Sequence, residues 1–117
     1  MTAESILNLM DTIRPNIIDE ETKLDWIYTL EKKIHEHMTR YGETDIAVPT
    51  LNKSSELLLD KEYAYMYAYY GVSMIDLGNQ DIAMYNNSST FFNDMFENWQ
   101  KRWRRQHIPQ SVSRGDN

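Results

Sequence analysis

From Ile82 to Trp103, the residues Ile82, Tyr85, Ser89, Phe92, Phe96, Trp99 and Trp103 recur at alternating steps of three and four. That spacing predicts one mostly aromatic seam along a single helix of about 33 Å, at about 1.5 Å per residue. So long and narrow a seam needs another helix to face it. The opposite side, with Asn86, Asp94, Glu97, Lys101 and Arg104, is left for water or a wet protein surface. Asn86-Asn87-Ser88-Ser89-Thr90 argues against continuity, because these are poor helix formers whose side chains compete for backbone hydrogen bonds. The seam crosses this run without losing register, so the helix is expected to continue through it.

Three further helices are predicted ahead of it. Residues 2–13 put Ile6, Leu9, Met10 and Ile13 on one face, with Thr2 as the cap and Arg14-Pro15-Asn16 as the stop. Asp19 caps a longer helix, with Glu20 and Glu21 in its first turn. Its seam is Ile27, Leu30, Ile34, Met38 and Tyr41, and Gly42 terminates it. Asp60 caps the third, which runs to Leu77 and is apolar or aromatic almost all round, as a central helix would be. Ala64, Ala68 and Gly71 offer close approach to a neighbour, and Gly78-Asn79 makes a turn or kink before the long helix. Residues 43–59 lack a helical period. Within them Ile46-Ala47-Val48-Pro49 suits a short extended piece, and Leu57-Leu58-Leu59 suits a segment folding back over the core.

The expected architecture is therefore all-α, a four-helix bundle with a long C-terminal helix and one long loop between helices 2 and 3. It forms a single helical domain over residues 1–109, followed by a flexible polar tail over 110–117. Cysteine is absent, which excludes disulfides and thiolate metal sites. No signal-peptide layout or membrane-length apolar run is present, so a reducing cytoplasm, or a particle assembled there, is the expected setting. Charge is unevenly spread. Residues 101–117 hold five basic groups against Asp116 (+4), whereas the first hundred hold 7 basic and 17 acidic groups (−10). An acidic body repels DNA, which disfavours a general nucleic-acid-binding role.

Several constellations invite chemistry and do not support it. His35 and His37 are two apart, about 200° around a helix, and cannot share an ion as histidines four apart do. They are expected to be solvated or to face a partner. The four glycines are scattered and make no phosphate loop. Ser54, Ser55, Ser88 and Ser89 lack a histidine and an acid at a nucleophile's spacing. Neither catalysis nor a cofactor is expected. The tyrosines at 63, 65, 67, 69 and 70 suit packing or a protein interface better than a nucleic-acid stacking platform. Lys101-Arg102-Trp103-Arg104-Arg105 suits either a helix dipole or docking onto an acidic protein surface.

Arg14-Pro15-Asn16 with Asp19 and Leu24-Asp25-Trp26-Ile27 is the first part of a recognisable layout. Ile75-Asp76-Leu77-Gly78-Asn79, Tyr85-Asn86-Asn87-Ser88, Phe92-Asn93 and the closing Arg105-Gln106-His107-Ile108-Pro109 complete it. Over roughly residues 6–109 this resembles small head–tail connector (adaptor) proteins of tailed bacteriophages of Gram-positive hosts. The loop over 43–59 is short for that family, and the third helix is unusually rich in tyrosine.

The resemblance implies a non-enzymatic protein of the virion neck, assembled in the host cytoplasm. Copies, commonly twelve, would form a ring beneath the portal protein, joining it to a tail or second connector protein. DNA would pass through the channel without specific binding, and no membrane would be involved. Interface roles then fall on Asn86, Asn87, Ser88 and Asn93 along the long helix, and on Arg102, Arg104, Arg105 and His107 at its basic end. Two other classes fit the residues less fully. One is a small cytoplasmic helical regulator binding one protein partner through its tyrosine-rich face. The other is a nucleic-acid-binding module using the basic C-terminus.

Overall fold

The computed structural model describes residues 1–42, 47–48 and 50–107. The tail over 110–117, and Ile46 and Pro49 of the suggested extended piece, lie outside the described residues. Four α-helices form: α1 (Ala3–Ile13), α2 (Glu20–Arg40), α3 (Ala64–Gly78) and α4 (Ile82–Gln106), with a short 3₁₀ turn over Lys61–Tyr63 leading into α3. Among the described residues there is no strand, only an isolated bridge between Thr2 and Glu56, and no helix is long and apolar enough to cross a membrane.

Thr2 and Asp19 cap the helices predicted for them, and Asp81 caps α4. Thr2 Oγ1 accepts from Ser5 N, Asp19 Oδ2 from Thr22 N and Asp81 Oδ1 from Met84 N, each filling an orphan donor of a first helical turn. The loop supplies the rest of α1's start, because Ser55 and Lys53 carbonyls accept from Ala3 and Glu4 N–H at 2.9 Å each. Arg14, before Pro15, is extended and ends α1. Gly42 takes φ +127 past the end of α2, a region glycine enters without penalty. In the α3–α4 turn the left-handed residue is Gln80 (φ 57), not Gly78 or Asn79.

The central element is α3, with α1, α2 and α4 all packed on it. Met10 of α1 crosses at Gly71, where any Cβ would collide with the methionine sulfur and methyl. Ala68, one turn earlier on α3, is wholly buried. The small residues of α3 therefore admit α1. Leu57 and Leu59 return from the loop to the core, beside Ile27, Leu30, Ile34, Met66 and Tyr67.

Two polar clusters lie inside this packing. Glu31, fully buried on α2, accepts from Tyr67 Oη and from Leu58 N–H (2.8 Å), which fastens the loop to the core. Burial raises the Glu31 carboxyl against the lowering pull of those two hydrogen bonds, and burial beside that carboxylate also raises the Tyr67 phenol. At the other end, Asp76 of α3 accepts from Arg14 Nε (2.7 Å) and from Ser88 Oγ of α4 (2.8 Å), joining three helices.

Four sequence expectations need correction. On α1, Ala3 and Leu7 are buried beside Ile6 and Met10, while Leu9 and Ile13 are half-buried, because the stripe turned to the core runs through positions 3, 6, 7 and 10 and leaves 9 and 13 at its edge. At the start of α4, Ile82 is exposed because α3 has ended opposite the first turn, and Ser88, not Ser89, is buried because it meets Asp76 of α3. Arg104 is half-buried over the Tyr41 ring and not on the solvent side. His37 is buried between Tyr41 and Trp99, where its Nε2–H donates to Gln100 O at 3.1 Å.

Candidate protein interface

The unbroken α4 organises both of its surfaces. Its polar run stays helical with its hydroxyls turned back on their own helix. Thr90 Oγ1 donates to Asn86 O (2.7 Å) and Ser89 Oγ to Asn86 O (3.4 Å). Packing on α3 supplies what propensity withholds. The inner face is an aromatic ladder: Tyr70 against Phe92, then Phe96, Trp99, Trp103 and His107 in succession. Trp103 Nε1, near the end of this ladder, is buried with no acceptor among the described residues.

The eight residues assigned to an interface divide into three groups. Asn86, Asn87 and Asn93 are exposed on the outer side of α4, as a contact surface requires. Ser88 is only 1% exposed and is spent on Asp76, so it holds the helices together and is not presented with its neighbours. At the basic end, Arg105 is exposed, whereas the other cations have intramolecular company. Arg102 bonds Glu62 Oε2 (3.1 Å) and Tyr63 Oη (3.2 Å), and the Glu62 hydrogen bond raises its already high pKa. Lys101 lies 3.6 Å from Glu97, and Arg104 lies over Tyr41. His107 stacks on Trp103 and donates from Nδ1 to its carbonyl, so it finishes the ladder.

Three surface features escaped the periodic reading. Tyr65 (58% exposed) and Phe91 (55% exposed) flank Tyr69 in an aromatic ledge across α3 and α4, next to a shallow groove that Asn87 also lines. At the basic end, two adjoining grooves of about 230 and 270 Å³ lie either side of the Arg102–Glu62 bridge, with Met38, Met66, Met95, Leu58, Trp99 and Trp103 in their walls. At the acidic end, Ile17 stands 103% exposed in the connection between α1 and α2. In the short connection Asn16-Ile17-Ile18-Asp19 no period reveals which isoleucine faces out.

These ends are opposite. α2 and α4 meet through His37, Tyr41, Trp99 and Arg104 at the basic end. The Arg14–Asp76–Ser88 cluster gathers the end of α1, the end of α3 and the start of α4 at the other. The acidic start of α2 joins that second end through Lys23, whose Nζ reaches Asp11 at 2.8 Å. Among the described residues no group of three His, Asp or Glu side chains converges on a metal position. Comparison with known proteins adds no assignment: no family model, no curated protein and no solved structure matches this chain.

Proposed function

We propose that this chain is a non-enzymatic structural joint of the head–tail connector kind. Copies of it would form a ring, of about twelve by the resemblance, between a portal protein and a tail or second connector protein in the virion neck. One observation carries the reading: an acidic helical body ends, along the unbroken α4, in a basic last turn, so that unlike surfaces stand on one chain. A ring built head to tail needs two different complementary surfaces on each copy. The exposed amides of Asn86, Asn87 and Asn93 suit a wet lateral contact, and an acidic body suits a channel wall that DNA must pass without adhering.

Negative-stain imaging of the purified protein mixed with portal-bearing particles of tailed phages from Gram-positive hosts tests the proposal. Added ring density beneath the portal is expected. Bare portals, together with a monomer or dimer at every concentration in light scattering, would refute it. That refuting result would favour a regulator that binds one partner through the aromatic ledge, a reading supported by the exposure of Tyr65 and Phe91.

A further inference from the structure

Glu31 and Asp76 are the two buried acids among the described residues, and they are held differently. Asp76 has the Arg14 guanidinium against it at 2.7 Å. Glu31, at 0% exposed, has no such cation: one oxygen accepts from Tyr67 Oη of α3 and the other from Leu58 N–H of the loop. Burial, Tyr67 and Leu58 act on this carboxyl, and burial prevails, so its pKa is raised. The other titratable groups on the elements around it are not paired with it. His35 stands one turn on along α2, while Glu56 and Asp60, flanking Leu57–Leu59, are exposed, Glu56 being bonded to the Met1 amine at 3.0 Å.

The segment that Glu31 holds is neither helix nor strand. Residues 52–59 meet the body along two lines. The outer line runs to the first residues of the chain and the start of α2: Lys53 O and Ser55 O accept from Glu4 N and Ala3 N, Leu57 N donates to Met1 O, and Lys53 pairs with Glu20. On the inner line Leu57 and Leu59 are buried, and the Leu58 and Leu59 N–H groups go to Glu31 and to Tyr67 Oη (3.4 Å). A segment without a helix or a sheet ladder belongs to the less stable part of a fold and can open while the helices stay closed. Leu58 and Leu59 also line the 270 Å³ groove with Trp99 and Trp103, so release of the segment would reshape that surface.

We propose that Leu57–Leu59 is a strap and Glu31 its proton-operated latch, holding it most firmly when the carboxyl is protonated and releasing it more often once ionised. A protonated Glu31 keeps both ties, its carbonyl oxygen accepting from Leu58 N–H and its hydroxyl donating to Tyr67 Oη. An ionised one keeps them at the cost of a buried charge with no cation. Opening returns the carboxyl to water, so the closed form binds the proton more tightly. Closure is therefore strongest below the ordinary value of 4.5, weakens as pH rises through the raised value, and levels off above it. The latch works within one chain and does not depend on the connector reading.

Native-state amide exchange on the full chain tests it, with Leu58 reporting the strap and Val72, fully buried in α3, reporting global unfolding. After correction for intrinsic rates, Leu58 should exchange at least about tenfold faster than Val72 at about pH 7. Leu58 protection should also fall as pH rises, by about tenfold for each unit by which carbon-13 titration places Glu31 above 4.5. In Glu31→Gln, which keeps the shape and removes the charge, Leu58 protection should be independent of pH, although His35 and His37 still titrate. Equal protection of Leu58 and Val72 would make the strap part of the cooperative core and overturn the proposal. So would a Glu31 that titrates at or below 4.5, or a Glu31→Gln variant with the pH dependence of the wild type. If Glu31→Gln does not fold, the wild type decides alone: exchange of Leu58 and titration of Glu31 with different midpoints would overturn the latch.

Discussion

Gly71 shows how much one missing methyl decides. Leu7, Met10 and Ile6 bury α1 against α3 only because nothing projects at the crossing, where Met10 occupies the place of a Cβ. Gly71→Ala sets a collision with the end of the flexible Met10 side chain against the gain of about 1 kcal/mol that alanine brings inside a helix, so its net cost should stay below about 1 kcal/mol. In urea titration the Gly71→Ala/Met10→Ala pair should cost less than the sum of its single changes, because the smaller residue at 10 removes the collision. His37 makes a second prediction at this scale. Burial, opposed by its bond to Gln100 and assisted by Arg104 and Arg40, holds its pKa below the ordinary 6.5. A depressed histidine contributes stability that is present above pH 6.5 and is lost as pH falls through its lowered value, because the unfolded chain takes the proton first. The thermal midpoint of the wild type should therefore fall more than that of His37→Gln between about pH 7 and about pH 5. Glu31, raised by burial, works in the opposite sense, its contribution declining as pH rises, but it is common to both proteins and cancels in the comparison.

At the scale of elements, the ends of helices are tied together by charge and hydrogen bonds as much as by apolar contact. Asp76 is 2% exposed and serves α1 through Arg14 and α4 through Ser88. Asp76→Ala should cost about 2–4 kcal/mol, since it strands a half-buried guanidinium and a buried hydroxyl. Ser88→Ala should cost only about 1 kcal/mol, the worth of one net hydrogen bond. Denaturant midpoints at constant slope check both. A Ser88→Ala cost as large as that of Asp76→Ala would show that the serine, not the ion pair, holds α4 to α3. The same clusters explain what periodicity could not reveal. Helix spacing separates apolar faces from polar ones, so Lys23, Glu31, His37, Asp76 and Ser88 read as surface until a partner from a distant part of the chain is brought beside each.

For the whole molecule, the connector proposal makes the basic end of α4, and not the net charge, the quantity to test. Replacing Lys101, Arg102, Arg104 and Arg105 by Gln removes the positive end while leaving the aromatic ladder in place. Assembly should weaken at low salt and lose much of its salt dependence, as seen by light scattering across a salt series, because exposed charges act through a screened field. Identical assembly at every salt concentration would mean that Lys101, Arg102 and Arg104 serve only their own chain, through Glu97, Glu62 and Tyr41.

Local chemistry determined a good deal by itself. Thr2, Asp19, Asp60 and Asp81 mark the starts of their elements because each side chain fills a donor two or three residues on, whatever the rest of the molecule does. The aromatic register carried α4 through its polar run for an equally local reason, since helical spacing survives poor propensity when one face has a partner. Tertiary structure alone decided which helix meets which, that His37 and Ser88 face inward, and that Ile17 stands out at one end while a methionine- and tryptophan-lined groove opens at the other. Those outcomes depend on atoms far apart in sequence coming within a few ångströms, and no local pattern encodes that distance.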